Sequence, residues 1–289
     1  MDEAPPQSNV VADALDRLRD SLLALRKDLV SYSTARDCSR QRRVAIEDLL
    51  GLFPVSAPLP RATRLRHVFF DFDQTISRVH VFKQLAGWEP GLWPPFASSE
   101  RGQIARVGEH NGDGLDNSWT YNATDGKLRY APGEAGGVAW STAALGGAAR
   151  VAELRAVFES LKAAGVLLTV LTQGNVGVVR YILDHDGLLT FFSHVIGRVG
   201  THYGETEYDK KHRDLVSPFL SKGDDELWDS KAGVIDWFMQ EAGLQCEEVA
   251  FVEDDKEELR AAKGLCRHVL VADRRGVSSA QLQTLVESL

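Results

Sequence analysis

Four short stretches of this chain hold residue types able to do chemistry, and each one ends or opens a structural element. Asp71-Phe72-Asp73-Gln74-Thr75 stands directly after the apolar run Val68-Phe69-Phe70. Side chains two apart in extended chain project to the same side, so Asp71 and Asp73 can address one centre. Thr172-Gln173-Gly174-Asn175 ends a second apolar run and opens a helical pattern, where free backbone N–H groups suit a phosphate. Ser230-Lys231 begins another helical pattern, and Glu253-Asp254-Asp255 closes a further apolar run. Brought together, these residues would crowd several carboxylates against one ammonium. Like charges about 4 Å apart repel by roughly 4 kcal/mol near a protein surface. Such a cluster either holds protons or binds a cation. A few hard oxygen ligands, with water and substrate completing the shell, suit Mg²⁺. Carboxylate, cation, ammonium and hydroxyl form a set for phosphoryl transfer. The positive groups neutralise phosphate, the hydroxyl and N–H groups orient its oxygens, and one carboxylate can attack phosphorus.

Convergence demands elements that carry the four stretches to one place. The pattern predicts strands at Val68–Phe70, Val166–Leu171, His194–Ile196, Val249–Val252 and His268–Val271. It predicts helices at Val151–Ala164 (stopped by Gly165), Val176–Asp186, Lys231–Ala242 (ended by Gly243) and Glu257–Lys263. Strands alternating with helices imply an α/β domain with a mainly parallel sheet, and wholly apolar strands imply cover on both faces. Ligands of such open sheets bind beyond the carboxyl ends of the strands, where all four stretches fall.

Two parts of the chain break this pattern. Between Ser77 and Arg150 the sequence turns rich in Gly, Trp, Pro and Asn and loses its periodicity, which predicts a lid, a cap or a partly disordered insertion at about 78–150. Its aromatic residues, Trp88, Trp93, Trp119, Trp140, Tyr121 and Tyr130, either line a pocket or anchor the stretch. A shorter interruption spans Gly200–Asp229. Residues 1–60 form a different segment from 61–289. There Val11, Leu15, Leu18, Leu22, Leu25, Leu29 and Tyr32 make an a/d stripe of about three heptads. It can pack on its own chain, for instance on a helix near Val44–Leu52, or pair two chains. Pro54, Pro58 and Pro60 mark a linker.

With the four stretches in this order, the chain resembles the haloacid dehalogenase superfamily over roughly residues 66–273. An apolar strand followed by Asp-x-Asp-x-Thr is matched by Asp71–Thr75. A strand ending in Ser or Thr is matched by Thr172, a lysine at a helix start by Lys231, and an apolar strand ending in an acidic pair by Glu253-Asp254. The resemblance implies a Rossmann-like core with a cap-like insertion and hydrolysis of a phosphomonoester through an aspartyl-phosphate. Asp71 would be the nucleophile, and Asp73 the general acid that then becomes the base for water. Thr172, Gln173, Gly174 and Lys231 would hold the phosphoryl group. Asp71, Asp254 and the backbone carbonyl of Asp73 would bind Mg²⁺, with Glu253, Asp255 or Glu258 in support. Glu253 stands where Gly or Asp is commoner, so the sequence leaves open which of Glu253, Asp254 and Asp255 touches the metal. The substrate would be a phosphorylated small molecule or a phosphoprotein.

Composition narrows the alternatives. The chain has 289 residues, 44% hydrophobic and 26% charged, which is ordinary for a globular protein with a large core. A net charge of −8 gives no overall basic footprint for nucleic acid. No apolar stretch is long enough to cross a membrane. The start is acidic and polar, unlike a secretory or transit peptide, and Cys38, Cys246 and Cys266 have no metal spacing. A reducing, cytoplasmic setting with free thiols is expected. Asn111–Asp116 only faintly matches a calcium loop, since Leu115 breaks its ligand pattern. Three other readings use the same residues: a phosphotransferase, a receiver domain, and a non-catalytic interaction protein with an oligomerising helix. Receiver domains place the acid pair first and the acceptor aspartate in mid-chain, whereas here Asp71 comes first and the acid cluster last.

Overall fold

The computed structural model describes residues 65–112, 118–133, 136–199, 205–212 and 230–289, all within Ala62–Leu289. The leucine stripe, the helix near Val44–Leu52, the proline linker, Cys38, most of Gly200–Asp229 and most of the Asn111–Asp116 loop lie outside the described residues. In chain order the elements are β1 (His67–Phe70), α1 (Val81–Leu85), α2 (Glu100–His110), β2 (Trp119–Asn122), β3 (Lys127–Tyr130), α3 (Trp140–Ala144) and α4 (Ala148–Ala163). There follow β4 (Leu167–Asn175), α5 (Val176–His185), β5 (His194–Arg198), α6 (Glu207–His212), α7 (Lys231–Ala242), β6 (Val249–Glu253), α8 (Lys256–Ala261), β7 (Arg267–Leu270) and α9 (Ser279–Glu287).

Five strands form one parallel sheet in the order β5-β4-β1-β6-β7. From β1 the chain builds outward through β4 and β5, then returns to the other side of β1 for β6 and β7. The direction of winding reverses between β1 and β6. Connections on opposite faces part there and open a crevice at the carboxyl ends of these strands. Register puts Phe70 level with Val170 of β4 and Val252 of β6. The acidic residues after β1 and β6 therefore leave the sheet side by side.

The apolar runs are explained by burial on both faces. Val68, Phe70, Val170 and Val252 point into one core with Leu154 and Phe158 of α4 and Ile182 and Leu183 of α5. Their neighbours Phe69, Leu171, Val249 and Phe251 point into a second core with Ala232, Ile235 and Met239 of α7. Alternate residues thus serve alternate faces, and neither set is free to be polar. Local signals fix α7 at both ends. Ser230 Oγ accepts the Gly233 N–H at 3.0 Å, and Gly243 closes the helix in a left-handed conformation (φ 61°). This cap puts Lys231 at the first helical position.

The insertion is more ordered than its composition predicts. It forms α1, α2, the antiparallel β2–β3 hairpin and α3. Trp119 and Trp140 are buried, and Trp93 stacks on Trp119 with ring centroids 5.3 Å apart. The weak periodicity has a physical cause. The buried face of α2 carries Glu100, Gln103, Arg106 and His110 beside only Ile104 and Val107. Hydrogen bonds engage this polar face: Gly177 N–H donates to Glu100 Oε1 at 2.6 Å, and Asn175 Nδ2 to Gln103 Oε1 at 2.9 Å. Among the described residues no helix is long and apolar enough to cross a membrane. Cys246 and Cys266 carry free thiols.

One buried group makes stability depend on pH. His67 is 1% exposed, bonded through Nε2 to Thr169 Oγ1 at 2.9 Å. Burial, helped by the neighbouring His194, lowers its pKa to about 3. Above pH 6.5 the imidazole is neutral whether folded or unfolded. Below it the unfolded chain takes a proton that the folded chain refuses. Stability then falls by roughly 1.4 kcal/mol per pH unit until about pH 3. Urea unfolding at pH 7 and pH 5 is expected to show a loss from this residue of about 2 kcal/mol. His67→Gln should remove that increment of the pH slope, and an unchanged slope would contradict it.

Candidate active site

The site is built first by the turn that follows β1. Asp71 N–H donates to Val252 O at 2.9 Å, which carries the ladder one residue beyond the strand. The chain then reverses through Phe72–Ile76, with Asp73 extended and Gln74 in the left-handed region at φ 58°. Such a conformation costs a non-glycine residue about 1–3 kcal/mol and persists only where its surroundings enforce it. Here Gln74 N–H donates to Val79 O and Ser77 Oγ, each at 3.1 Å. Gly276 and Val277 N–H donate to Gln74 O and Thr75 O at 2.9 and 2.8 Å. The turn holds Asp73 against the start of the insertion. Its Oδ1 accepts Val81 N–H at 2.6 Å and Phe82 N–H at 3.4 Å, and His80 Nδ1 lies 3.4 Å from Oδ2.

Lys231 reaches into the crevice from α7. Its Nζ donates to Asp71 Oδ1 at 2.7 Å and to Glu253 Oε2 at 2.6 Å, and all three side chains are almost wholly buried. Burial alone would lower the ammonium pKa, but the charges of Asp71 and Glu253 outweigh it and raise it. The acids respond in the opposite sense. Burial lifts Asp71 to about 6 against the pull of Lys231, with Asp73 and Asp254 adding to the rise. Burial and the Asp71 charge push Glu253 up to about 9, and burial also raises Asp254. One ammonium does not offset this many carboxylates.

Hydrogen bonding separates the three consecutive acids. Glu253 spends Oε2 on Lys231, and its Oε1 accepts the N–H groups of Asp254 and Asp255, each at 3.1 Å. Asp255 caps α8 by accepting Glu257 N–H at 2.8 Å. The Asp254 carboxyl stands beside that of Glu253 and makes long contacts to Thr75 Oγ1 at 3.5 Å and Arg274 Nε at 3.4 Å. Ligand oxygens of Asp71, Glu253 and Asp254 lie within 4.8 Å of one another, a donor set of hard oxygens that fits Mg²⁺. The carboxylate of Asp73 is not part of this cluster.

The opposite wall comes from β4. Its register breaks between Leu171 and Asn175, a local bulge of the kind found beside active sites. Thr172 is buried there, and its Oγ1 accepts Gly174 N–H at 3.0 Å. A Cβ on Gly174 would stand 3.3 Å from Thr172 Oγ1 and 3.4 Å from Asp73 Oδ2, so glycine keeps that gap open. Gln173 Nε2 donates to Glu258 Oε1 at 2.7 Å and ties the wall to α8.

Asp71, Asp73, Thr172, Gln173, Gly174, Lys231, Glu253, Asp254, Asp255 and Glu258 all line one cleft of about 350 Å³. The cleft also takes in His80, Phe82, Lys83, Trp88, Arg198 and Arg274, which the sequence did not single out as site residues. Only Trp88 stood among the aromatic candidates. Nothing in a lone His or Arg at those positions announced the turn that brings it in. Lys210, by contrast, is exposed and pairs with Glu207 at 2.7 Å.

No protein-family model matches the sequence, and no curated protein matches it. Solved structures match at low identity. A hypothetical protein from Xanthomonas campestris is 16% identical, covering 82% of this chain and 89% of its own, with a TM-score of 0.35. The 3-deoxy-D-manno-octulosonate 8-phosphate phosphatase from Moraxella catarrhalis is 12% identical, covering 78% and 88%, with a TM-score of 0.33. A haloacid dehalogenase-like hydrolase from Streptococcus pneumoniae is 14% identical, covering 76% and 90%, with a TM-score of 0.34.

Proposed function

We propose that this chain is a Mg²⁺-dependent phosphomonoesterase of the haloacid dehalogenase type, working through an aspartyl-phosphate on Asp71. The observation that carries the reading is the setting of Asp71 at the crevice between β1 and β6. Lys231 is bonded to it at 2.7 Å, and the ligand oxygens of Asp254 and Glu253 lie within 4.8 Å. Lys231 holds one oxygen of Asp71 and so fixes the direction of the other. Asp71 attacks phosphorus, the bond to the leaving oxygen breaks, and Asp73 delivers a proton to that oxygen. Asp73 then takes a proton from water as the water attacks phosphorus, which frees phosphate and restores the Asp71 carboxylate. Gly174 N–H occupies a lone pair of Thr172 Oγ1, and the hydroxyl hydrogen is left to donate to a phosphoryl oxygen. Asp71, Asp254 and the backbone carbonyl of Asp73 would hold Mg²⁺, which would supply neutralising charge to the phosphoryl oxygens. Glu253, with both oxygens engaged, acts in support by positioning Lys231 and the backbone of Asp254. The substrate is a phosphorylated small molecule or phosphoprotein.

Release of inorganic phosphate from p-nitrophenyl phosphate tests the reading. It should require Mg²⁺ and stop with a chelator. A pure, folded protein that releases none, with Mg²⁺ and a panel of phosphorylated metabolites, would overturn it. Asp73→Asn is expected to slow turnover of alkyl phosphates by about 10²–10⁴-fold. Binding of inorganic phosphate, followed by calorimetry, should survive the change. Normal turnover in that variant would remove the acid–base role.

A further inference from the structure

We infer that the leaving group carries a flat ring that stacks on Trp88, so that the substrate is a phosphate ester of a ring-bearing alcohol; this rests on the phosphomonoesterase reading above. The floor of the cleft is charged, but its rim on the side of α1 is aromatic, formed by Phe82 and Trp88. Trp88 is 67% exposed, the most exposed large apolar side chain among the described residues. It is nonetheless held in place. Its backbone N–H donates to Lys83 O at 2.8 Å, and its ring packs edge-to-face on Phe82 with centroids 5.4 Å apart. The turn before it is equally fixed. Gly87 has φ +75°, and the Phe96 ring lies only 2.5 Å from where a Cβ would stand. An exposed indole on a fixed support is a stacking surface for a planar group.

The same segment places this surface on the leaving-group side. Val81 and Phe82 donate their N–H groups to Asp73, the residue that protonates the departing oxygen. Whatever is attached to that oxygen therefore departs against the surface bearing Phe82 and Trp88. About 350 Å³ is more than a phosphate fills, and it lies at the small end of clefts that hold organic ligands.

The test compares three esters whose leaving alcohols are nearly equal in basicity: ethyl, 2-phenylethyl and 2-cyclohexylethyl phosphate, with Mg²⁺ present. In the wild type, kcat/KM for the phenyl ester should exceed that for the ethyl ester by roughly tenfold, with the cyclohexyl ester clearly below the phenyl. Trp88→Ala should bring the phenyl-to-ethyl ratio close to one, and Trp88→Phe should keep most of it. Equal phenyl and ethyl rates in the wild type would overturn the inference. So would a ratio that survives Trp88→Ala, or a cyclohexyl ester as good as the phenyl. If no ester is hydrolysed, the phosphomonoesterase reading fails on its own. The stacking surface is then judged by calorimetric binding of the 2-phenylethyl and ethyl phosphonates. A roughly tenfold advantage for the phenyl compound, lost in Trp88→Ala, upholds the surface; equal affinities overturn it.

Discussion

Asp71→Asn should reduce phosphate release by a factor on the order of 10⁴–10⁶ and leave a folded, stable protein. The size follows from removing a nucleophile that the other groups serve, so that their contributions to turnover are lost with it. Retained folding follows from the chemistry of the pair. An amide oxygen still accepts from Lys231 Nζ, and the amide has no charge to bury. The sign of the stability change comes from the raised pKa of Asp71, about 6 in the folded chain. A carboxyl with a raised folded pKa contributes stability below its unfolded value, near 4, and loses that stability as pH climbs through about 6. Without divalent cations at pH 7 the wild type has lost it, whereas the amide is neutral at every pH. The variant should therefore unfold at a urea concentration no lower than the wild type while its phosphatase activity is gone. Undiminished activity would remove Asp71 from the mechanism, and early unfolding would contradict the electrostatics.

Lys231→Met should be costly in both respects. The ammonium bridges Asp71 and Glu253, each almost wholly buried. Taking it away leaves the Asp71 carboxylate and the Glu253 carboxyl group facing one another without a cation, and breaking a buried pair from one side costs about 3–5 kcal/mol. Activity is lost as well, because Lys231 orients Asp71 and neutralises the phosphoryl group. The loss of stability has a specific remedy. Adding Glu253→Gln replaces a buried carboxyl, which with its pKa pushed up to about 9 must take up a proton to stay buried at pH 7, by a neutral amide, so the double variant should regain part of the stability and none of the activity. Urea unfolding at pH 7 without metal measures both effects. A Lys231→Met protein as stable as the wild type would show that the triad is not ionised in the way the contacts imply.

The sheet was legible because both of its faces are buried. Val68-Phe69-Phe70 and Val249-Ala250-Phe251-Val252 have no polar residue to spare, and each terminates in acids that stand at the crevice. Lys231 was legible through its setting, with a serine cap before it and a glycine stop after the helix. The order within Glu253-Asp254-Asp255 was not, since three neighbouring acids look alike until hydrogen bonds are assigned. One holds Lys231, one faces Asp71, and one caps α8. The elements inside the insertion were not legible because α2 buries polar side chains whose partners are distant in sequence. Trp88 could not be told from Trp119 or Trp140 by type, and only burial separates them. One element went unread although its signal was present. Ser278 and Gln281 form a reciprocal capping box ahead of Leu282 and Leu285, the usual mark of a helix start, and α9 begins there.

The covalent intermediate is best tested in Asp73→Asn with p-nitrophenyl phosphate. Its leaving group departs without a proton, so Asp71 can still be phosphorylated while water activation is lost. A stoichiometric burst of p-nitrophenolate is expected, followed by slow release of phosphate. Acid quenching and borohydride reduction should then yield homoserine at position 71. Steady hydrolysis with no burst and an unmodified Asp71, or phosphate carried by any other residue, would contradict the mechanism at its root.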